Sequence, residues 1–267
     1  MTWIDPLTRH LHRAAGQHGP VMLMYHAVIP GKFRPCWPWA VSMQQFRDQV
    51  DFLASEGYDT PTMGELVAEP NKRTGRTAVI TFDDGYLDNL AACEELQKRG
   101  MRATFFVVTG SIGESPRWPG DGRPEGRLLN AVELGVIQAC GMEIGSHSVN
   151  HIRLTDTDDA TLMRELTESK ITLEDHLGNP ITSFAYPYGA WNERCATAVM
   201  KAGYAAACTT RTGWAQRDSD PYKLRRLTVF NTDTVRSLAR KLYLGDNNAN
   251  WRQISRYLAG RLTDRIV

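Results

Sequence analysis

The stretch AVITFDDGYLDN, residues 78–89, runs an apolar segment straight into two adjacent carboxylates, Asp83 and Asp84, and then Gly85. Like charges at neighbouring positions repel, and burying them is costly unless a cation stands beside them. Asp-Gly is a common turn signal, so a plain turn is one reading. A metal site is the other. Further along, GSHSVNH sets His147 and His151 four residues apart. Imidazole suits zinc and related first-row metals, and on a helical turn positions i and i+4 share a face. One carboxylate with two imidazoles is a common catalytic metal set that leaves positions open for water and substrate. One Asp would then bind the metal. The other would stand beside it as a general base.

The elements that must hold these groups can be read from the apolar pattern. Strand candidates are residues 21–26, 77–82, 103–108, 142–146, 182–186, 204–209 and 224–230, with a short one near 58–62. Most are apolar on both faces, as strands buried in a parallel sheet are. Helical stretches lie between them. Ser42 and Gln45 have capping-box spacing, 88–100 ends at Gly100, and 158–178 starts acidic and ends at Gly178. About seven β/α units in one domain predict a parallel barrel or doubly wound sheet. In such folds the active site lies at the carboxyl ends of the strands. Four strand candidates deliver polar groups there: His26, the Asp83–Asp84 pair, His147 with His151, and the YPYG run of Tyr186–Gly189. Residues 110–127, rich in Gly, Pro and Arg, form a long loop of the kind that is often functional.

With 267 residues, 42% hydrophobic and 23% charged, the chain is an ordinary globular one, and its net charge of +1 gives no global field for nucleic acid. Its five cysteines share no C-x-x-C spacing, which argues against a thiolate zinc site or disulfide framework and for reduced thiols. The first 20 residues lack an apolar signal core, so the expected location is the cytoplasm.

TFDDG followed about 60 residues later by HSVNH resembles the first two motifs of the polysaccharide deacetylases, the NodB-type carbohydrate esterases. The resemblance runs from about residue 20 to about 230. It implies an α/β fold, a distorted barrel of about seven β/α units, that removes acetyl groups from sugars. It also implies Asp83 as general base and Asp84, His147 and His151 as ligands of one divalent metal, zinc first and cobalt, nickel or manganese as alternatives. YPYG resembles the end of the family's third motif. By that match the Tyr188 N–H would help hold the tetrahedral oxyanion, and Pro187 would fix the turn that aims it.

The chain departs from the pattern twice. Ala185 stands where the family usually carries an arginine that orients the base; Arg226, in KLRRLTV, is the expected substitute, with Arg225 second. No histidine follows His176, where the family usually ends in Leu-x-His. LMYHAV instead resembles the N-terminal motif of the permuted subgroup that includes the poly-N-acetylglucosamine deacetylases, and by that match His26 is the general acid. Aromatics in predicted loops are candidates for sugar contact: Trp37 and Trp39 first, then Trp214, with Trp118 and Trp191 also in loops; Tyr186 and Pro187, where the 182–186 strand ends, are further substrate-binding candidates.

The domain organisation expected is an N-terminal extension (1–19), the barrel (20–234), and basic amphipathic helices over 235–267. That last segment holds seven Lys or Arg against Asp246 and Asp264. Its helices either pack on the barrel or touch an anionic membrane. The expected partner is an acetylated amino-sugar glycan, oligosaccharide or lipid-linked precursor. The expected reaction is metal-dependent removal of N-acetyl groups with release of acetate. O-acetyl ester hydrolysis on the same site is the alternative, and a non-catalytic sugar-binding relic is the third reading.

Overall fold

The structure, a computed structural model, describes residues 4–13, 15, 19–69, 75–120, 122–123 and 125–248. After helix α1 (Pro6–His12) come β1 (Val21–Tyr25), β2 (Ala27–Ile29), β3 (Ala40–Ser42), α2 (Met43–Ser55) and α3 (Met63–Ala68). The middle of the chain alternates β4 (Ala78–Phe82), α4 (Asn89–Gln97), β5 (Thr104–Val107), α5 (Ala131–Ala139), β6 (Glu143–Ser146) and α6 (Asp159–Leu177). It finishes with β7 (Ser183–Ala185), α7 (Glu193–Lys201), β8 (Ala206–Cys208), β9 (Leu227–Thr228) and α8 (Val235–Leu244).

Seven strands form one parallel sheet in the order β8-β7-β6-β5-β4-β1-β9. The segment before β9 touches the far edge as well: Leu224 bridges Cys208 while Leu227 and Thr228 pair with Leu23 and Met24. It thereby draws the two edges of the curled sheet together into the distorted barrel. The inner strands β1, β4 and β5 are buried along their whole length, which explains their unbroken apolar runs. Phe82 and Phe105 stack across β4 and β5 at 4.6 Å, with Tyr25 stacked on the other side of Phe82 at 5.5 Å. This rigid centre carries the residues that follow β1 and β4.

Several sequence expectations change here. The 58–62 candidate contributes only the single parallel bridge Asp59–Thr77. Ser42 caps α2 by accepting from the Gln45 N–H, but the Gln45 side chain donates to the Phe230 and Asp233 carbonyls instead of closing a reciprocal box. A tertiary partner outcompetes the local one. α8 packs Val235, Leu238 and Leu242 into the main core. Its Lys241, counted with the basic face, is buried, bonded to the Thr228 carbonyl and paired with Asp233. The other cations of the second predicted helix (Arg252, Arg256, Arg261, Arg265) lie outside the described residues. Among the described residues no helix is long and apolar enough to cross a membrane.

Candidate active site

β4 ends at Phe82, and the Asp83 N–H continues the sheet by donating to the Tyr25 carbonyl at 2.9 Å. The chain then turns. Asp84 has φ +74° and Gly85 φ +81°, two consecutive left-handed residues. Asp tolerates that region and Gly adopts it freely. The stretch is therefore both a turn and a presentation device: the turn aims two buried carboxylates in different directions.

Asp83 faces Arg226. The guanidinium donates to both carboxylate oxygens, at 2.6 and 2.7 Å, and also to Thr81 Oγ1 and the Thr209 carbonyl. Arg226 is fully buried. Burial alone would raise the Asp83 pKa, but the Arg226 charge and its hydrogen bonds outweigh it and hold the carboxyl well below the usual range. Arg226, the substitute expected for the arginine absent at Ala185, is thus the residue that pairs with Asp83; Arg225, the second candidate, pairs with Asp218 instead.

Asp84 faces the two imidazoles. Its Oδ1 lies 3.5 Å from His147 Nε2 and 3.4 Å from His151 Nε2. That oxygen is buried without a hydrogen-bond partner. Burial and the Asp83 charge push the Asp84 pKa up to about 7. A divalent cation relieves such an orphaned carboxylate, and the donor set of one carboxylate oxygen and two imidazole nitrogens, all within 4.8 Å of one another, fits one. The imidazoles are ready for it. His147 Nδ1 lies 2.7 Å from the Ala185 carbonyl, so it carries the proton and leaves the Nε2 lone pair free. Burial lowers the pKa of both rings, that of His151 to about 2, which keeps them neutral.

The spacing of the two histidines works differently from the expected helical turn. Residues 147–152 are not helical. Ser148 and His151 have φ +66° and +52°, and Ser148 Oγ accepts from the His151 N–H. The loop hangs from Glu165 of α6, a buried carboxylate that accepts from the Val149 N–H, the Asn150 N–H and the Asn150 side-chain amide. Glu165 was missed in the sequence. Its signal was there: it shares the apolar stripe of Leu162, Leu166 and Leu173, where a carboxylate does not belong without a task.

His26, just beyond β1, sits in a recess between Trp37, 5.8 Å away edge-on, and the Asp83–Arg226 pair, which acts on it electrostatically. Desolvation lowers its pKa to about 4, so it is neutral at rest. Its Nδ1 has no partner among the described residues.

Tyr188 has φ +58° inside the turn Pro187–Gly189, and its ring meets His151 at 4.5 Å. Gly189 is required at the next position, because a Cβ there would fall 2.0 Å from Thr210 Oγ1. Asp84, Ser148, His151 and Tyr188 thus all take a left-handed conformation around one point, the concentration of strain that marks functional sites.

The aromatics divide. Trp37 is buried against His26, Trp39 and Tyr86, while Trp39 is 41% exposed beside it. Trp118, from the 110–127 loop, lies 4.5 Å from His151 and walls the site; sequence reasoning noted it without assigning it a place. Three substrate-binding expectations, Tyr186, Trp214 and Pro187, fail. Tyr186 is fully buried, its hydroxyl donating to the Tyr222 carbonyl, so it supports the turn from inside. Trp214 rests against Gly245, and its neighbour Ala215 bonds to Pro20 at the amino end of β1, away from the site. Pro187 is buried under the same turn as Tyr186.

Residues 70–207 match the family described as Polysaccharide deacetylase. The chain is 30% identical over 212 residues to the Bacillus subtilis protein YxkH, whose name places it among the polysaccharide deacetylases; the match spans 78% of this chain and 70% of that one. It is 24% identical over 205 residues to the poly-beta-1,6-N-acetyl-D-glucosamine N-deacetylase of Staphylococcus aureus, spanning 72% and 68%. The structure of the Streptococcus pyogenes deacetylase PplD in complex with acetate superposes with a TM-score of 0.72 at 23% identity, over 83% of this chain and 97% of that one. At that identity the likeness concerns the fold.

Proposed function

The chain belongs to the polysaccharide deacetylase family and is a carbohydrate deacetylase, and from that premise we propose that it removes N-acetyl groups from an N-acetylhexosamine glycan or its precursor, releasing acetate. The observation that carries the reading is the division of labour in the carboxylate pair: Asp83 clamped by Arg226, Asp84 orphaned between two neutral imidazoles. Asp84 Oδ1 and the two Nε2 atoms would hold one divalent metal, zinc by ligand type. When bound, that metal supplies Lewis-acid polarisation of the acetyl carbonyl.

The chain's own groups do the rest. Arg226 occupies one lone pair on each Asp83 oxygen and keeps the carboxylate ionised and fixed. The remaining lone pairs face an attacking water and accept its proton as the water oxygen joins the acetyl carbon. The Tyr188 N–H, aimed by its left-handed backbone, donates to the oxyanion. His26 delivers a proton to the leaving nitrogen as the C–N bond breaks. Because His26 is neutral at rest, that proton arrives during the reaction: it is the one taken from water. Water thus divides between acetate and amine, and no external acid is consumed. The half-exposed Trp39 offers its ring, and the half-exposed Tyr188 its free edge, to sugar C–H groups, while the buried Trp118 shapes the wall behind them.

O-acetyl ester hydrolysis is the second reading, and the low pKa of His26 favours it, since an alcohol leaves with less protonation than an amine. The test is acetate release from N-acetylglucosamine oligomers and matched O-acetylated glycans, with Asp83→Asn as control. Release from the amino sugar that vanishes in Asp83→Asn and drops steeply in His26→Ala supports N-deacetylation. Activity confined to the esters, with little loss in His26→Ala, overturns it.

A further inference from the structure

We infer that the groove beside His151 recognises an anionic substituent, so that the preferred substrate is an acidic or phosphorylated acetylated glycan. The acetyl group rests on the deacetylase reading above; the charge rests on other side chains. The groove has a volume of about 540 Å³ and is lined by Arg117, Trp118, Asn150, His151, Arg153 and Tyr188 among others. Its walls Trp118, His151, Tyr188 and Arg153 belong to a continuous stack that Arg123 closes from outside the groove lining. The Arg123 guanidinium lies 5.5 Å from the Trp118 ring, Trp118 lies 4.5 Å from His151, His151 lies 4.5 Å from Tyr188, and Arg153 lies 5.0 Å from the Tyr188 ring. Each end of this aromatic column is a cation.

A guanidinium held on an aromatic face keeps its N–H groups in plane at the edge, a fork that fits carboxylate and phosphate. Arg123 spends one N–H on the Trp118 carbonyl, which fixes it. The Arg153 guanidinium, exposed over the Tyr188 ring, has no hydrogen bond or ion pair among the described residues. The acid that lines the groove, Asp156, accepts from Thr155 Oγ1 and pairs with neither arginine. With a chain net charge of only +1, this is a local field. It also bears on the product. Deacetylation creates an ammonium group, which the two guanidiniums repel, and a carboxylate or phosphate on the same glycan offsets that repulsion.

The test measures binding by calorimetry to Asp83→Asn protein and, as a check on that variant, to chelator-treated unsubstituted protein. The probes are an N-acetylglucosamine tetramer, a 6-phosphorylated form of it, and a hyaluronan tetrasaccharide bearing carboxylates. An anionic probe is expected to bind about tenfold tighter than the neutral one, as a charge-assisted bond allows. The advantage shrinks when salt rises from about 50 to about 500 mM. The ratio collapses in Arg153→Gln and is partly kept in Arg153→Lys. Which anionic probe wins separates carboxylate from phosphate. Equal affinity for all three, or a preference that survives Arg153→Gln, overturns the inference. Acetate release from the same probes is read separately: an anionic preference without acetate from any probe counts against the deacetylase reading alone.

Discussion

Arg226 and Asp83 stand 143 positions apart in the chain and meet through two hydrogen bonds of 2.6 and 2.7 Å, the arginine with no exposed surface at all. A pair this buried is sensitive to its loss, because the survivor is left charged and unmatched. Arg226→Lys keeps a charge but loses the fork, so kcat is expected to fall about a hundredfold with little change in KM, as a misaimed base does. Arg226→Met is expected to cost about 3–5 kcal/mol of stability. Single-turnover acetate release and denaturant titration read the two effects. A lysine variant with normal kcat would show that Asp83 needs only a counter-charge.

Glu165 touches no reacting atom, yet the loop between His147 and His151 hangs from it. Glu165→Gln removes the charge and leaves a single acceptor oxygen, so the two backbone N–H groups that share one glutamate oxygen and the Asn150 amide on the other cannot all be served as before. Zinc affinity, measured by competition with a coloured chelator, is expected to weaken roughly 10- to 100-fold while the fold persists. Undiminished affinity would mean that Ser148 alone holds the loop.

Removing the metal should abolish acetate release, and zinc should restore it. Adding zinc to chelated protein at about 100 times its Kd is expected to stabilise the fold by about 2.7 kcal/mol. In Asp84→Asn, which ends the crowding of two buried carboxylates, the metal-free protein should melt higher than its metal-free parent while losing that gain. Thermal melts with and without zinc check both, and a melting point indifferent to zinc would count against Asp84, His147 and His151 as its holders.

Away from the site, Glu95 of α4 pairs with Arg47, Lys98 and Arg99 at 2.8–3.0 Å, and these hydrogen bonds lower its pKa to about 2. A folded-state pKa below the unfolded one gives stability that is present above about pH 4.5 and is lost as pH falls toward 2. Since Lys98 and Arg47 are largely solvated, solvent screening reduces the expected contribution to roughly 2 kcal/mol. Glu95→Gln should therefore be less stable than the parent at pH 7 by that amount, with the difference falling to roughly a quarter of it at pH 2.5. A constant difference across that range would mean the loss is one of packing.

The sheet was largely legible because its strands are buried on both faces and announce themselves as apolar runs. Asp83, Asp84, His147 and His151 were legible because each lies where such a run stops. Arg226 could be named from its place in a late strand, but its contact with Asp83 is a product of topology, which spacing does not encode. The His147–His151 loop misled for a related reason. An i, i+4 spacing is compatible with a helix, and only the glutamate on α6 and two left-handed residues select the loop. Tyr186 misled because a polar ring tip says nothing about which side of a three-residue turn it takes. Trp214 misled because a residue that follows a strand can return to the strand's other end.

The two-residue strand β9 is the last in the chain, and it pairs with β1, the first, which lies between it and β4. During synthesis at 5–20 residues per second, Asp83 leaves the ribosome many seconds before Arg226. In that interval the growing chain owns its candidate metal ligands, but Asp83, the proposed base, has no guanidinium to pair with. Docking of the 224–228 segment ends both conditions together. On the proposed mechanism the same event that seals the barrel completes the site, so a copy truncated before Arg226 is expected to release no acetate.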